Sequence, residues 1–251
     1  MSDSAIGYIF HRETFGAVDG PGLRLVLFLQ GCPLRCPYCH NPEGQPLSIG
    51  QDLSGVQTIT VDEVMAQLAR YASYYKGGGL TISGGEPLVQ SAFVGDLLAR
   101  CHTAGLHVAL DTSGCIQTQA ATAACQQADL LLLDVKTALP QQHQAVFGFP
   151  LTQVEAMLAQ RQSWQKPVWV RQVIAPGLTA NQEQIIALAQ LLKPYSVIER
   201  VELLPFRKLC LPKYAALGLD FPMKDTPEPS PEMMAELRAI LAENLPGVKI
   251  L

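Results

Sequence analysis

The chain has 251 residues, 48% of them hydrophobic, which is enough apolar surface for a substantial buried core. Its formal net charge of −4 argues against a protein whose main role is to bind nucleic-acid phosphates. No apolar run is long enough to span a bilayer, and the first residues lack the basic and apolar regions of a signal peptide. We therefore expect a cytoplasmic protein with no membrane or nucleic-acid partner.

Short apolar runs alternate with amphipathic helical patterns along most of the chain. Several runs are apolar almost throughout, as expected for parallel strands covered on both faces. The runs lie at residues 25–29, 80–82, 107–110, 130–133, 168–174 and 201–204. The helical patterns lie at residues 60–72, 91–104, 119–126, 152–162, 181–192 and 230–243, and the first opens on a capping box, Thr60-Val61-Asp62-Glu63. This alternation predicts an α/β fold, in which six parallel strands form an open, partial (β/α)6 barrel. We expect a single domain over residues 1–251, with an N-terminal extension and a C-terminal helix.

Polar or glycine-rich residues follow nearly every apolar run. They are Gln30-Gly31-Cys32, Ser83-Gly84-Gly85-Glu86, Asp111-Thr112-Ser113-Gly114, Asp134-Val135-Lys136 and Pro205-Phe206-Arg207, while Arg171 lies within its own run. In parallel α/β folds the carboxyl ends of the strands form the active-site face. The pattern therefore predicts that these segments converge on one rim.

Three of the seven cysteines are clustered, with the spacing C-x-x-x-C-x-x-C at Cys32, Cys36 and Cys39. In a chain without an export signal, clustered cysteines indicate metal or redox chemistry rather than disulfides. Iron–sulfur clusters are usually held by cysteine thiolates, four of them for a [4Fe–4S] cluster. Three cysteines would leave one iron without a protein ligand, and an open metal position is where a cofactor or substrate can bind.

Other interpretations of the same cysteines stay open at this point. Residues 36–40 match the C-x-x-C-H pattern of haem c attachment, but Cys32 would then have no role. A zinc site made of the three cysteines and His40 would crowd four ligands into nine residues, and it would not explain the strand-end motifs. Three unrelated structural cysteines are a further alternative.

The chain resembles the radical S-adenosylmethionine (SAM) superfamily and, within it, the family of pyruvate formate-lyase activating enzymes. The resemblance covers nearly the whole sequence. Its most specific parts are residues 28–42, which contain the cysteine motif, together with Ser83-Gly84-Gly85-Glu86-Pro87, Asp134-Val135-Lys136 and Val18-Asp19-Gly20-Pro21-Gly22. It implies a partial barrel of the radical SAM type, a [4Fe–4S] cluster with one non-cysteine iron, and SAM as cofactor.

The resemblance also implies roles for the strand-end residues. Gly84, Gly85 and Glu86 would lie along the methionine part of SAM, where adjacent glycines allow a close approach of the backbone. The other residues implied to contact SAM are Tyr38, Cys39, His40, Asp134, Val135, Lys136, Arg171 and Arg207. Asp111, Thr112 and Asp134 would surround Na+ or K+, because carboxylate and hydroxyl oxygens suit hard cations.

The roles implied for Arg171, Arg207 and Asp19 rest on three separate segments of the chain. Arg171 is costly inside an apolar strand unless it is paired. The resemblance implies that it holds a carboxylate, that of the cofactor. Arg207 stands where the family usually has histidine, and its guanidinium could still stack on adenine. Asp19 is matched to a contact with the substrate peptide.

The implied function is activation of pyruvate formate-lyase. The enzyme would cleave SAM reductively and abstract a hydrogen atom from a glycine of its partner, with a one-electron donor such as flavodoxin or ferredoxin. Residues 41–59 carry no cysteine, which favours this type over activases with an inserted ferredoxin-like segment. The alternatives are an activase of another glycyl-radical enzyme, a radical SAM enzyme acting on a small molecule, and a non-enzymatic iron–sulfur electron carrier.

Overall fold

The computed structural model describes residues 5–47 and 55–251, which form two compact units. Residues 1–4 and 48–54, which entered the arguments on a signal peptide and on an inserted segment, lie outside the described residues. In the described part of the chain, no helix combines the length and the apolar character needed to cross a membrane.

The first unit comprises residues 5–33, 43–47, 55–112 and 116–132. In chain order its elements are β1 (Ile6–Gly16), β2 (Arg24–Leu29), β3 (Gln57–Thr60), α1 (Val61–Arg70), β4 (Gly79–Gly84), α2 (Ser91–Thr103), β5 (Val108–Thr112) and α3 (Gln119–Gln127), followed by the first residues of β6 (Leu130–Asp134). The strand order is β3-β1-β2-β4-β5. Strand β1 is antiparallel to both β2 and β3, whereas β2, β4 and β5 are parallel.

Burial and capping explain why these segments of the first unit fold as they do. All residues of β2 except Phe28, and all of β4 except Gly84, are buried, which accounts for their apolar composition. Helix α1 begins with the expected capping box, because Thr60 Oγ1 accepts a hydrogen bond from Glu63 N at 3.2 Å and Glu63 Oε2 accepts one from Thr60 N at 2.7 Å.

The second unit comprises residues 34–42, 113–115 and 133–251. After the end of β6, its elements are α4 (Pro140–Phe147), α5 (Leu151–Ser163), β7 (Val168–Ile174), α6 (Gln182–Leu192), β8 (Ile198–Pro205), α7 (Leu211–Ala216), α8 (Pro231–Asn244) and β9 (Lys249–Ile250). Strands β7, β8 and β9 are adjacent and parallel. Asn181 caps α6 and Ser230 caps α8, through hydrogen bonds from Gln184 N and Met233 N.

The prediction of an α/β fold with mostly parallel strands is confirmed. All six apolar runs lie in strands β2, β4, β5, β6, β7 and β8, and the six helical patterns lie in α1, α2, α3, α5, α6 and α8. Strands β1, β3 and β9 and helices α4 and α7 were not predicted. Most of β1 is exposed or half-buried, so it lacks the continuous apolar run that marks the parallel strands. The single domain over residues 1–251 stays a prediction.

Candidate functional site

The cysteine motif begins in the first unit, directly after strand β2. Gly31 N donates to Gly44 O at 2.9 Å, and Cys32 N donates to Gln45 O at 3.2 Å. The buried side chain of Gln30 donates through Nε2 to Pro46 O at 2.9 Å. These bonds fix the backbone that carries the first cysteine of the motif.

Gly84 and Gly85 pack tightly against this same backbone. Gly85 N donates to Leu29 O at 2.9 Å, and a Cβ added at Gly85 would lie 2.5 Å from Gly31 O and 2.6 Å from Gly44 O. Gly84 has a φ of +136°, which disfavours any side chain. The close packing of the Gly84–Gly85 turn on the backbone of the cysteine motif therefore requires the glycine pair. This packing was not predicted from the sequence.

Glu86, Asp111 and Thr112 are brought together at the carboxyl ends of β4 and β5. Thr112 Oγ1 donates to Glu86 Oε1 at 2.6 Å, and both residues are buried. Asp111 Oδ2 accepts a hydrogen bond from Ser83 Oγ at 2.8 Å. Within the first unit, these motifs and Cys32 thus follow parallel strands at the same edge, as predicted. In the structure Glu86 also caps the next turn, through Leu88 N at 3.2 Å.

Asp19 lies in the loop between β1 and β2, in the first unit. Its backbone oxygen accepts a hydrogen bond from Thr81 Oγ1, and Thr81 is the register partner of Val26 in the middle of β2, so the loop folds back along the strands. The contact of Asp19 with a substrate peptide stays a prediction.

The loop that carries Asp19 is held by Arg24 and Thr81, two residues that the sequence argument did not single out. Thr81 Oγ1 donates to Asp19 O at 2.6 Å and accepts from Arg24 Nε at 2.6 Å. The fully buried guanidinium of Arg24 also donates to the carbonyl oxygens of Pro21, Leu80 and His107. The sequence did offer a signal for Arg24, because a charged residue next to an apolar run must find partners when it is buried. The same reasoning singled out Arg171.

The second unit holds the other two cysteines of the motif. Cys39 N donates to Cys36 O at 3.0 Å, which closes a turn between them, and both residues are half-buried. Burial raises the pKa of the Cys36 thiol to about 11, against the opposing effect of the Lys136 ammonium. Tyr38, between the two cysteines, is buried, and its ring centre lies 6.0 Å from Lys136 Nζ.

Asp134 and Lys136 form an ion pair at the end of β6. Burial opposes the charge on Lys136, but the carboxylate of Asp134, through its charge and its hydrogen bond, and the ionised forms of Cys36 and Tyr38 raise the pKa of the ammonium well above its ordinary value. Val135 N, between them, donates to Arg171 O at 2.8 Å. Asp134 Oδ1 and Tyr38 Oη are two of the buried side-chain atoms that have no hydrogen-bond partner in the described part of the chain. Burying such an atom is costly unless a ligand or water satisfies it.

The two arginines predicted to face the cofactor are paired with carboxylates of the chain. Arg171 Nε donates to Glu202 Oε2 at 2.9 Å, so a carboxylate does compensate its charge. Arg207 Nη1 donates to Glu228 Oε2 at 2.7 Å on the surface. The backbone oxygen of Arg207 is hydrogen-bonded to His40 Nε2 at 2.9 Å, so this residue is placed beside the end of the cysteine motif. Contacts of either arginine with SAM stay predictions.

No set of three or more His, Cys, Asp or Glu side chains within residues 5–47 and 55–251 is arranged as a complete metal site. The donor chemistry nevertheless fits the expected groups. Three thiols within eight residues suit an iron–sulfur cluster, and the unsatisfied oxygens beside Lys136 suit a polar ligand.

Comparison with known proteins identifies close relatives of this chain. Residues 18–145 match a family described as the 4Fe-4S single cluster domain. The pyruvate formate-lyase-activating enzyme of Staphylococcus epidermidis is 34% identical over 238 residues, which cover 92% of this chain and 93% of that protein. The enzyme of the same name from Staphylococcus aureus is 36% identical over 237 residues, 90% of this chain and 91% of that one.

Solved structures show the same fold at lower identity. A radical SAM methyltransferase from Sphaerobacter thermophilus has a TM-score of 0.65 at 15% identity, over 91% of this chain and 65% of that one. SuiB of Streptococcus suis, bound to S-adenosylmethionine, has a TM-score of 0.64 at 13% identity, over 88% of this chain and 47% of that one. These matches define the class, a partial α/β barrel of the radical SAM type that includes a 4Fe-4S domain, and they confirm the predicted fold. The chain belongs to the family of pyruvate formate-lyase-activating enzymes, as the sequence motifs had indicated.

Proposed function

We propose that the protein activates pyruvate formate-lyase by reductive cleavage of SAM and abstraction of a hydrogen atom from a glycine, which leaves a glycyl radical. The observation that carries this proposal is the C-x-x-x-C-x-x-C motif in a chain of this family. When bound and reduced, a [4Fe–4S] cluster held by the three cysteines would supply the electron for the cleavage of SAM, and one of its irons would be left without a cysteine ligand.

Cys32, Cys36 and Cys39 are the proposed ligands of the cluster. Each of these residues is half-buried, and hydrogen bonds to Gln45 O and within the motif fix the backbone at Cys32 and Cys39. The haem and zinc interpretations leave the strand-end motifs without a role. Membership of the family supports the iron–sulfur interpretation.

Asp134 and Lys136 are the strongest candidates to bind and orient SAM. Lys136 offers an ammonium to a carboxylate, and Asp134 Oδ1 and Tyr38 Oη are buried polar atoms that a ligand would satisfy. The side chains of Glu86 and Arg171 already bond to those of Thr112 and Glu202, so we assign them a role in holding neighbouring strands together as well as the predicted cofactor contact.

The remaining assignments complete the proposal. Asp111, Thr112 and Asp134 would supply oxygen ligands to Na+ or K+. A flavodoxin or ferredoxin would donate the electron, and the reaction would take place in the cytoplasm. Asp19 would contact the glycine-containing segment of pyruvate formate-lyase.

Anaerobic electron paramagnetic resonance tests the function directly. The sample contains cluster-reconstituted protein, reductant, SAM and pyruvate formate-lyase. We expect a glycyl-radical signal from the wild type that is abolished in Cys32→Ala and retained in Cys125→Ala, because Cys125 is a buried thiol of helix α3 outside the motif.

Two other outcomes would favour the alternatives. If 5′-deoxyadenosine forms without a glycyl radical, the protein is a radical SAM enzyme with another substrate. If the cluster assembles and SAM stays intact, the protein is an electron carrier. Full activity of Cys32→Ala would refute the cluster assignment itself.

A further inference from the structure

An exposed group of aromatic and arginine side chains lies on the first unit, away from the strand-end motifs. We call it the aromatic–arginine face and define it by Arg12, Phe15, Arg70, Tyr71 and Tyr74. The ring centre of Phe15 lies 5.6 Å from that of Tyr71 and 5.4 Å from that of Tyr74. Phe15 and Tyr74 are 45% and 58% exposed. Adjacent aromatic rings left in water are typical of surfaces that bind another molecule.

A surface cavity of about 380 Å³ opens beside these rings. Arg12, Thr14, Gln67, Arg70 and Tyr71 contribute to its walls. Arg12 Nη1 donates to Gln67 Oε1 at 3.3 Å, and the Arg70 guanidinium lies 5.5 Å from the centre of the Tyr71 ring. Within the described part of the chain, neither arginine forms an ion pair.

The nearby carboxylates cancel only part of the positive charge of this cavity. Glu63 also lines it, and its carboxylate, which accepts hydrogen bonds from Thr60 N and Thr60 Oγ1 and interacts with Arg12, offsets one of the two arginine charges. Asp62 is paired with Arg100 at 2.9 Å. Since a guanidinium recognises a carboxylate through two parallel hydrogen bonds, the cavity suits an acidic side chain.

The aromatic–arginine face is continuous with the loop that carries Asp19. Tyr75, next to Tyr74, donates through its hydroxyl to Thr14 O at 2.7 Å and accepts through its backbone from Gly78 N at 2.8 Å. Gly78 packs directly on Leu23, because an added Cβ there would lie 1.8 Å from Leu23 O. Val18 and Leu23, at the two ends of this loop, are 74% and 39% exposed. The rings, the cavity and the loop therefore form one surface.

We propose that this surface docks pyruvate formate-lyase, through a segment that presents carboxylates to Arg12 and Arg70 and apolar side chains to Phe15 and Tyr74. The proposal rests on the function proposed above and extends it from the glycine segment to the rest of the partner protein. Exposed aromatic residues and arginines are the residue types that contribute most to protein–protein affinity. The two arginines set the chemistry of the partner, because an acidic segment complements them.

The test compares a double variant, Arg12→Gln/Arg70→Gln, with Lys249→Gln as control. Lys249 is an exposed cation of β9 in the second unit. We expect the double variant to raise both the Kd and the KM for pyruvate formate-lyase about tenfold, with kcat unchanged, and the control to leave them unchanged. Added salt should raise the Kd of the wild type more than that of the variant. Tyr74→Ser tests the apolar part and should also raise Kd.

Two further assays separate docking from chemistry. A short peptide with the sequence of the glycine segment should be used equally well by wild type and double variant, and 5′-deoxyadenosine formation without partner should be equal too. An unchanged Kd for pyruvate formate-lyase, or an equal loss with the short peptide, would overturn the docking proposal while the proposed function stands. Binding that depends on the arginines without formation of a glycyl radical would instead support docking and refute the function.

Discussion

The buried side chain of Arg24 connects several segments of the first unit through hydrogen bonds. Its guanidinium bonds to Thr81 and to three backbone carbonyl groups, and all the surrounding bonds lie at the start of strands β2, β4 and β5. Burial lowers the pKa of Arg24 to about 10, against the opposing effect of Asp129 and Asp19, so the side chain stays charged at neutral pH. The charge is tolerated because its donors are satisfied.

We predict that Arg24→Met destabilises the protein strongly. The variant removes the donors from buried carbonyl groups such as Leu80 O, and we expect it to lower the free energy of unfolding by about 3 kcal/mol. Urea denaturation followed by circular dichroism measures the loss. The control is Arg100→Met, which breaks an exposed ion pair with Asp62 and should cost less than about 1 kcal/mol. Equal stability of the two variants would contradict this account of Arg24.

For Arg171 and Arg207, the resemblance implied contacts with the cofactor, whereas the structure shows ion pairs within the chain. Arg171 needed a partner for its charge, and Glu202, its register partner on β8, provides one; the contact with the cofactor carboxylate stays a prediction. Arg207 bonds to Glu228 on the surface. A sequence shows that a buried arginine needs a partner, but the identity of that partner depends on strand register, which single-sequence patterns do not determine.

At the scale of elements, the glycines after β4 connect two motifs that are far apart in sequence. Glu86 N donates to Gly31 O at 2.8 Å, and Gly85 N donates to Leu29 O, so the Gly84–Gly85 turn rests on the start of the cysteine motif. A change in this turn should therefore disturb the cluster even though no side chain of the turn is a ligand.

We predict that Gly85→Ala lowers cluster occupancy. The new Cβ would lie within 2.6 Å of two backbone oxygens, so the segment that leads to Cys32 must shift. Iron and sulfide content and the absorbance of the reconstituted protein measure the effect. Gly95→Ala is the matched control, because Gly95 lies within helix α2 with no atom within 4 Å of the added Cβ, and alanine there should raise helix stability by up to about 1 kcal/mol. Full cluster content in Gly85→Ala would show that the tight packing has no role in cluster binding.

At the scale of the whole molecule, the sequence predicted the parallel strands better than their surroundings. Buried runs such as residues 130–133 are apolar on both faces, and they were recognised with nearly correct ends. Strand β1 carries exposed residues such as Arg12 and Glu13, and its pairing with β2 is interrupted by register shifts. Its sequence therefore lacks the regular alternation of apolar and polar residues that identifies a half-buried strand. The positions of Gly85 and Glu86 beside the cysteine motif followed from their place after a strand. The Arg24 and Thr81 bonds depend on tertiary contacts that no local pattern encodes.

The stability of the whole molecule should depend on pH through two histidines. Burial, followed by the charge of Arg24, lowers the pKa of His107 from its ordinary value of 6.5. Burial likewise lowers the pKa of His143, against the hydrogen bond with Phe149 O that raises it. Between each folded-state value and 6.5 the unfolded chain therefore binds more protons than the folded chain. In that range stability rises with pH.

We predict that the free energy of unfolding is fully developed above about pH 7 and falls as the pH drops below the ordinary histidine value. His107→Gln should reduce the slope of unfolding free energy against pH just below the ordinary histidine pKa of 6.5, because it removes one of the groups that takes up a proton on unfolding. Urea titrations at a series of pH values measure the slopes of the wild type and of the variant. A slope in His107→Gln equal to that of the wild type would mean that His107 binds its proton equally in the folded and unfolded chains, and that its burial beside Arg24 has no energetic consequence.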